Sequence, residues 1–311
     1  MSQIAIETLS NLNHQTIRIQ IGDVCCALNC GDIEVSSRLR EIFKNFLSNQ
    51  PADISVELNG VEQLKPTELE AALPETRYIH ERNSFRTTNS IIAGNYNLTQ
   101  RTINISAEKS LGDPNLEFNM LNRLISLCYY SACKVKYNGN PRSFLVHACG
   151  ILRHGQALVF TGPSEAGKTT IARLCGEQDG EVINDEMLLI SRPTSNGDSI
   201  AVQSAPIISR LSPRRNLKTP LRCIMFLKQS KETSVHQLDR TEAYLRFMRQ
   251  IITPAYIGQR GNRAILSLIT KFSDEVTKVI PVYELEFSLD AESLWRVIGK
   301  LERELERKVE Q

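Results

Sequence analysis

Residues 162–169 read Gly-Pro-Ser-Glu-Ala-Gly-Lys-Thr and satisfy G-x-x-x-x-G-K-[ST] at every fixed position. The flanking residues supply the context this pattern needs. Ala157-Leu-Val-Phe-Thr161 is an apolar run of strand length, and Thr170-Ile-Ala-Arg-Leu-Cys175 begins an amphipathic helix. In such a strand–loop–helix the glycines let backbone N–H groups turn inward around phosphate oxygens, and the helix start adds the positive end of its dipole. The pattern therefore assigns Gly162, Pro163, Ser164, Glu165, Ala166, Gly167, Lys168, Thr169 and Thr170 to a nucleotide cradle. Within it Lys168 is expected to reach the β- and γ-phosphates and Thr169 to ligate Mg²⁺. Glu165 is the awkward member, because a carboxylate inside an anion-binding loop repels the ligand unless it faces solvent. It occupies a free position of the pattern, so solvent-facing is the expectation.

Two neighbouring segments carry further chemistry. Glu181-Val-Ile-Asn-Asp185-Glu186 places its acids only 17 residues after Lys168, room for one helix and a short return strand. Acids this early favour small-scale phosphotransfer over a mechanical ATPase, and no LSGGQ-like or switch-like segment is present. Asp185 and Glu186 are candidates for metal ligation and for deprotonating an acceptor hydroxyl; a solvated turn after a strand is the plain alternative. Upstream, His147 lies in Phe144-Leu-Val-His-Ala-Cys-Gly150, 21 residues before Lys168. A hairpin back to 157–161 would bring it beside the loop, although a lone His on an apolar strand is more often a satisfied core residue.

Composition narrows the class. The 311 residues carry 37 Lys+Arg and 35 Asp+Glu, a balance that lacks the electrostatic footprint of a dedicated nucleic-acid binder. A hydrophobic fraction of 41% with 23% charged residues is that of a globular protein rather than a disordered one. Nowhere do 18 apolar residues run together, and the start lacks a basic stretch followed by an apolar one, so the expected location is cytoplasmic and no membrane partner is expected. The acceptor-like triplets at Asn97 and Asn104 are then chance matches. Eight cysteines include no C-x-x-C pair, and the Cys25, Cys26, Cys30 group has no nearby His, so reduced and buried thiols are expected.

Along the chain, residues 16–28 alternate like a strand, 34–48 space apolar residues like a helix, and 54–58 and 103–105 alternate again. These describe an N-terminal α+β domain over 1–112 with no evident chemistry. Gly112-Asp-Pro114 starts a helix over about 116–133. From 144 strand-like and helical runs alternate, with further strands at 221–229 and 281–287 and a helix at 239–252, so 113–311 reads as an α/β domain. The final helix, opened by Asp290, carries Leu294, Ile298, Leu301, Leu305 and Val309 as a narrow stripe, expected to pack on its own domain.

His-Ala-Cys-Gly (147–150), the loop with Lys-Thr-Thr (162–170) and Asn-Asp-Glu (184–186), in this order and at these intervals, resemble the HPr kinase/phosphorylase-related proteins, a branch of the phosphoenolpyruvate-carboxykinase-like P-loop fold. The likeness spans about 115–300 and includes Ala205-Pro206, 220–228 and 279–287. It implies an α/β P-loop kinase domain that uses ATP and Mg²⁺ to phosphorylate a hydroxyl, typically a serine of a protein or peptide. By motif position it makes His147 the histidine before the loop, Lys168 and Thr169 the nucleotide and metal residues, Asp185 the catalytic acid/base and Glu186 the second acid. It also implies self-association, since relatives commonly form homo-oligomers.

The chain departs from the HPr enzymes proper. It has Thr170 where they carry Glu, and Ser209-Arg-Leu-Ser-Pro-Arg-Arg215 and Gly258-Gln-Arg-Gly-Asn-Arg263 stand in place of their glycine-rich signature. HPr as substrate and reverse phosphorolysis are therefore left open, and the nearer likeness is to divergent relatives that phosphorylate ribosomal peptides. Arg210, Arg214, Arg215, Arg260 and Arg263 are candidate clamps for phosphate or an acidic substrate, with Arg260 and Arg263 the preferred pair on a loop near the site. A non-catalytic nucleotide-binding regulator is the competing reading. A small-molecule P-loop kinase is a third, disfavoured because prolines 206, 213 and 220 interrupt the stretch that would form its arginine lid.

Overall fold

Alternating apolar residues need a partner strand for their backbone groups, and the first such run supplies its own. In the computed structural model, which describes residues 15–61, 78–81, 84–87, 92–108, 114–175, 180–193, 199–209, 211, 215–252 and 262–309, Gln15–Ile21 (β1) and Val24–Cys30 (β2) form an antiparallel hairpin. The sequence reading had 16–28 as one strand. Gly22-Asp23 breaks it, with Gly22 at φ 62°, a two-residue turn between an alternating strand and one buried along nearly its whole length. Asp32 caps Ile33–Ile42 (α1) by accepting from the N–H groups of Glu34 and Val35. The helix ends earlier than its periodicity suggested, and a 3₁₀ turn at Lys44–Phe46 follows, with Phe43 and Phe46 both buried.

Ile54–Val61 (β3), Tyr78–Glu81 (β4), Ser84–Thr87 (β5), Ile92–Asn97 (β6) and Thr102–Glu108 (β7) complete a sheet in the order β1-β2-β3-β7-β6-β5-β4. The pairs β2–β3 and β3–β7 are parallel and the other pairs antiparallel. Pro114–Lys136 (α2) packs on β2 and β3 and buries Leu121, Leu124, Leu127 and Cys128. The chain accordingly divides after Pro141: one compact unit is Met1–Pro141 with Pro254–Asn262, the other Arg142–Thr253 with Arg263–Gln311. The helix that the sequence reading placed at the head of the second domain, from 113, groups with the N-terminal sheet because that is where its apolar face is covered.

The second unit has the mixed α/β composition expected of it. Its strands are Ser143–Val146 (β8), Ala148–Arg153 (β9), Gln156–Thr161 (β10), Glu181–Asn184 (β11), Leu188–Ser191 (β12), Ala201–Ser204 (β13), Lys218–Gln229 (β14), Ser234–Gln237 (β15) and Val282–Phe287 (β16). They run β11-β9-β10-β14-β13-β12-β8, with β16 beside β14 and β15 beside β16. β10 lies between antiparallel β9 and parallel β14, and β14 is parallel to β16. The apolar run 144–152, read as one strand, is two. β8 pairs with β12 and β9 with β10 and β11, because the His147 N–H at the junction donates to the Gln250 carbonyl at 2.9 Å instead of to a neighbouring strand. The four-residue strands β13 and β15 were too short for alternation to register.

Lys168–Cys175 (α3), Arg240–Met248 (α4), Asn262–Val279 (α5) and Ala291–Val309 (α6) are the unit's helices among the described residues. Ile171, Ala172 and Cys175 of α3 join Leu158, Phe160, Met225 and Leu285 in a core that α6 closes with Leu294, Ile298, Leu301 and Leu305. The C-terminal stripe thus packs on its own unit, as its spacing implied. Arg153 pairs with Glu302 at 3.2 Å and stacks over Trp295, tying β9 to α6. All eight cysteines are free and buried. No helix among the described residues is long and apolar enough to cross a membrane. Ile298→Ala, at a site 1% exposed, is expected to cost about 2–5 kcal/mol of unfolding free energy. A denaturant midpoint unchanged from the parent protein would mean that α6 does not pack this way.

Candidate functional site

A backbone can wrap an anion only where side chains do not fill the concavity. Between β10 and α3 two glycines meet that demand. Gly167 has φ 110°, and a Cβ there would stand 2.5 Å from the Phe287 ring. Gly162 has φ 154°, and a Cβ there would stand 2.9 Å from that of Ala166. Glu165 adopts a left-handed φ of 66° although it is not glycine. Its carbonyl accepts from Gln229 Nε2 at 2.9 Å and its side chain is exposed. Lys168 is buried, and its Nζ donates to the carbonyls of Gly162 (3.2 Å) and Pro163 (3.1 Å). Burial pulls the Lys168 ammonium below its ordinary pKa, with the Glu186 carboxylate working the other way.

The acids sit on a pinned turn. Asn184, last residue of β11, accepts from the N–H groups of Glu186 (2.8 Å) and Met187 (3.0 Å) and donates through Nδ2 to the Ile207 carbonyl at 3.2 Å. Asp185 is 4% exposed and accepts a hydrogen bond from the Ser209 hydroxyl. His147 is fastened at both ends of its peptide. Its N–H donates to Gln250, and its carbonyl accepts from Thr161 Oγ1 at 2.8 Å, which also reaches Gln250 Oε1 at 3.3 Å.

His147 Nδ1 stands 3.8 Å from Glu186 Oε1. Burial, followed by the charge of Lys168, pushes the imidazole down to about 4 against a hydrogen bond to the Glu186 backbone. At neutral pH the ring is therefore neutral, and its proximity to Glu186 is polar contact rather than an ion pair.

One cleft of about 330 Å³ is lined by His147, Ser164, Glu165, Gly167, Lys168, Thr169, Thr170, Asp185, Glu186 and Gln229. It gathers the histidine, the loop and both acids from three separated stretches of sequence, while Gly162, Pro163 and Ala166 form the rest of the loop. Arg215 pairs with Glu181 at 2.8 Å, exposed and outside the lining. Arg263 falls in the first turn of α5 instead of a loop, which corrects that expectation. Arg210, Arg214 and Arg260 lie outside the described residues.

Sequence reasoning missed Asn184, Ser209, Gln229, Gln250 and Phe287. Only Asn184 had a local signal, an Asx-turn residue directly before two acids; the others act from distant segments. A larger hollow of about 420 Å³ in the first unit is lined by Asp23, Asp53 and Lys136 among others. Its Lys136 ammonium donates to the Asp23 carbonyl (2.6 Å) and to Asp53 (3.0 Å), while Asp23 Oδ1 is buried without a hydrogen-bond partner among the described residues.

The family model described as SynChlorMet cassette protein ScmC matches residues 111–303, a span that contains every residue lining the cleft. No curated protein matches the chain.

The low His147 value has a consequence for stability. The unfolded chain binds more protons than the folded one between about 4 and the ordinary 6.5, so the His147 contribution is complete above 6.5 and is lost as the pH falls through that window. His147→Gln should remove this share. Denaturant midpoints at pH 7.5 and pH 5 should differ less in the variant than in the parent, and equal differences would contradict the neutral ring.

Proposed function

This chain belongs to the ScmC family, the SynChlorMet cassette proteins, and we propose that it is an ATP- and Mg²⁺-dependent kinase that transfers the γ-phosphoryl group to a hydroxyl, most simply a serine of a protein or ribosomal peptide. The observation that carries this reading is the single cleft in which a G-x-x-x-x-G-K-T loop faces a buried carboxylate, a second acid and a neutral imidazole. One acid would suffice to hold Mg²⁺ for binding alone; a second acid and a neutral imidazole in the same cleft also offer a base and an orienting group for an acceptor hydroxyl. The order of these segments, and their resemblance to the HPr kinase/phosphorylase-related proteins, support a phosphoenolpyruvate-carboxykinase-like arrangement for the mixed sheet.

In this reading the loop N–H groups and the start of α3 bind the phosphates, and Lys168 leaves its two carbonyl partners for the β- and γ-phosphates. Thr169 with Asp185 and Glu186 is the sparse oxygen set that Mg²⁺ commonly takes from protein, and the ion there would neutralise charge on the transferring group. Glu165, Asp185 and Glu186 against Lys168 also give the cleft a formal negative balance, which disfavours a bare triphosphate and favours its metal complex. Asp185 accepts the proton of the acceptor hydroxyl as that oxygen bonds to the γ-phosphorus. The γ-phosphorus bond to its bridging oxygen breaks, and ADP leaves with the electron pair. Neutral His147 orients the acceptor or a phosphate oxygen by hydrogen bonding and adds no charge.

Incubation with γ-labelled ATP, Mg²⁺ and serine-containing peptides tests the reading. Lys168→Ala should abolish nucleotide binding and transfer. Asp185→Asn should still bind nucleotide and lose about 10²–10⁴-fold in turnover. Full turnover in Asp185→Asn would remove that residue from the role of base. Binding by the parent protein without transfer or hydrolysis would favour a nucleotide-binding regulator instead.

A further inference from the structure

We propose that Ser209 is a positioning residue for Asp185, holding one carboxylate oxygen so that the other is presented to the metal and the acceptor; this rests on the kinase reading above. Ser209 is 6% exposed and lies outside the cleft lining, so it acts behind the acid rather than on substrate. Its proton is directed. Ser209 Oγ accepts from the Leu211 N–H at 3.3 Å and donates its proton to Asp185 Oδ1. A carboxylate is the stronger acceptor, and a charge-assisted bond of this kind fixes its rotamer.

The segment that carries Ser209 is itself strapped along β11. The Ile207 carbonyl accepts from Asn184 on one side of Ser209, and Arg215 pairs with Glu181 on the other. Ser204 Oγ accepts from the Leu217 N–H at 2.9 Å and donates to the Arg215 carbonyl, closing the strap on itself. Residues 184 and 185 thus each take a bond from the same strap, and the acid cannot turn without breaking one of them.

Ser209→Ala and Ser209→Thr separate positioning from packing. In Ser209→Ala, turnover should fall about 10–100-fold, and the KM for Mg·ATP should rise only as far as metal-dependent affinity is lost, the pattern of a lost supporting hydrogen bond. Ser209→Thr keeps the hydroxyl and should restore most of the rate. A second readout does not depend on turnover. Fluorescence titration with a mant-labelled AMPPNP, with and without Mg²⁺, should show that Ser209→Ala loses much of the Mg²⁺-dependent gain in affinity and keeps the metal-free affinity. Parent-like turnover and Mg²⁺ gain in Ser209→Ala would overturn the proposal. An equal loss in both variants with a lowered melting temperature would assign Ser209 to packing and overturn it as well. A parent protein with no affinity for the probe would overturn the kinase reading first, a result separable from any difference between variants.

Discussion

Everything in the cleft depends on a close backbone approach: at residue 167 there is no room for a side chain, because the Phe287 ring stands where a Cβ would go. That contact is possible because β10, β14 and β16 run parallel, so Thr161, Gln229 and Phe287 arrive at the same edge of the sheet. β9 runs opposite to β10 and β11 opposite to β9, which brings Asn184 to that edge and lets His147 enter it immediately before β9 begins. One topological fact therefore explains why a histidine, a phosphate loop, two acids and a glutamine share a crevice. Open α/β sheets generally bind ligands in the crevice beyond strand carboxyl ends.

Burial then sorts the titratable groups by use. Cys149 on β9 and Cys175 at the end of α3 lie in the core, and burial pushes both thiols up, which keeps them protonated and unreactive. Lys168 and His147 are pushed the other way by the same cause. The outcome is a cleft with one cationic side chain, a neutral imidazole and three acids, Glu165 on the loop and Asp185 and Glu186 facing it. Those are complementary groups for a metal–phosphate complex, and a poor match for a free anion.

What could be read beforehand was the local part. The loop, its strand and helix, and the acids one strand later follow from spacing, because each needs only its neighbours. The break at His147 could not be read, since Gln250 creates it from the far end of α4. Gly22-Asp23 is legible as a turn, but β1 alternates while β2 is buried along nearly its whole length, so the hairpin shows only once the two strands pair. Helix α2 was assigned to the wrong neighbour because its apolar face fits any sheet, and only packing on β2 and β3 decides. Arg263 looked like part of a glycine-flanked loop, yet from Asn262 onward the chain is helical, where apolar residues recur at helical spacing.

The central claim is that the glycine-lined loop holds the triphosphate of a nucleotide. Calorimetric titration of the parent protein and of Gly167→Ala with Mg·ATP tests it most directly. The account predicts saturable one-to-one uptake by the parent and none by the variant, whose added methyl must displace Phe287 from beneath the loop. Absence of uptake by the parent, or equal uptake by both, would contradict it.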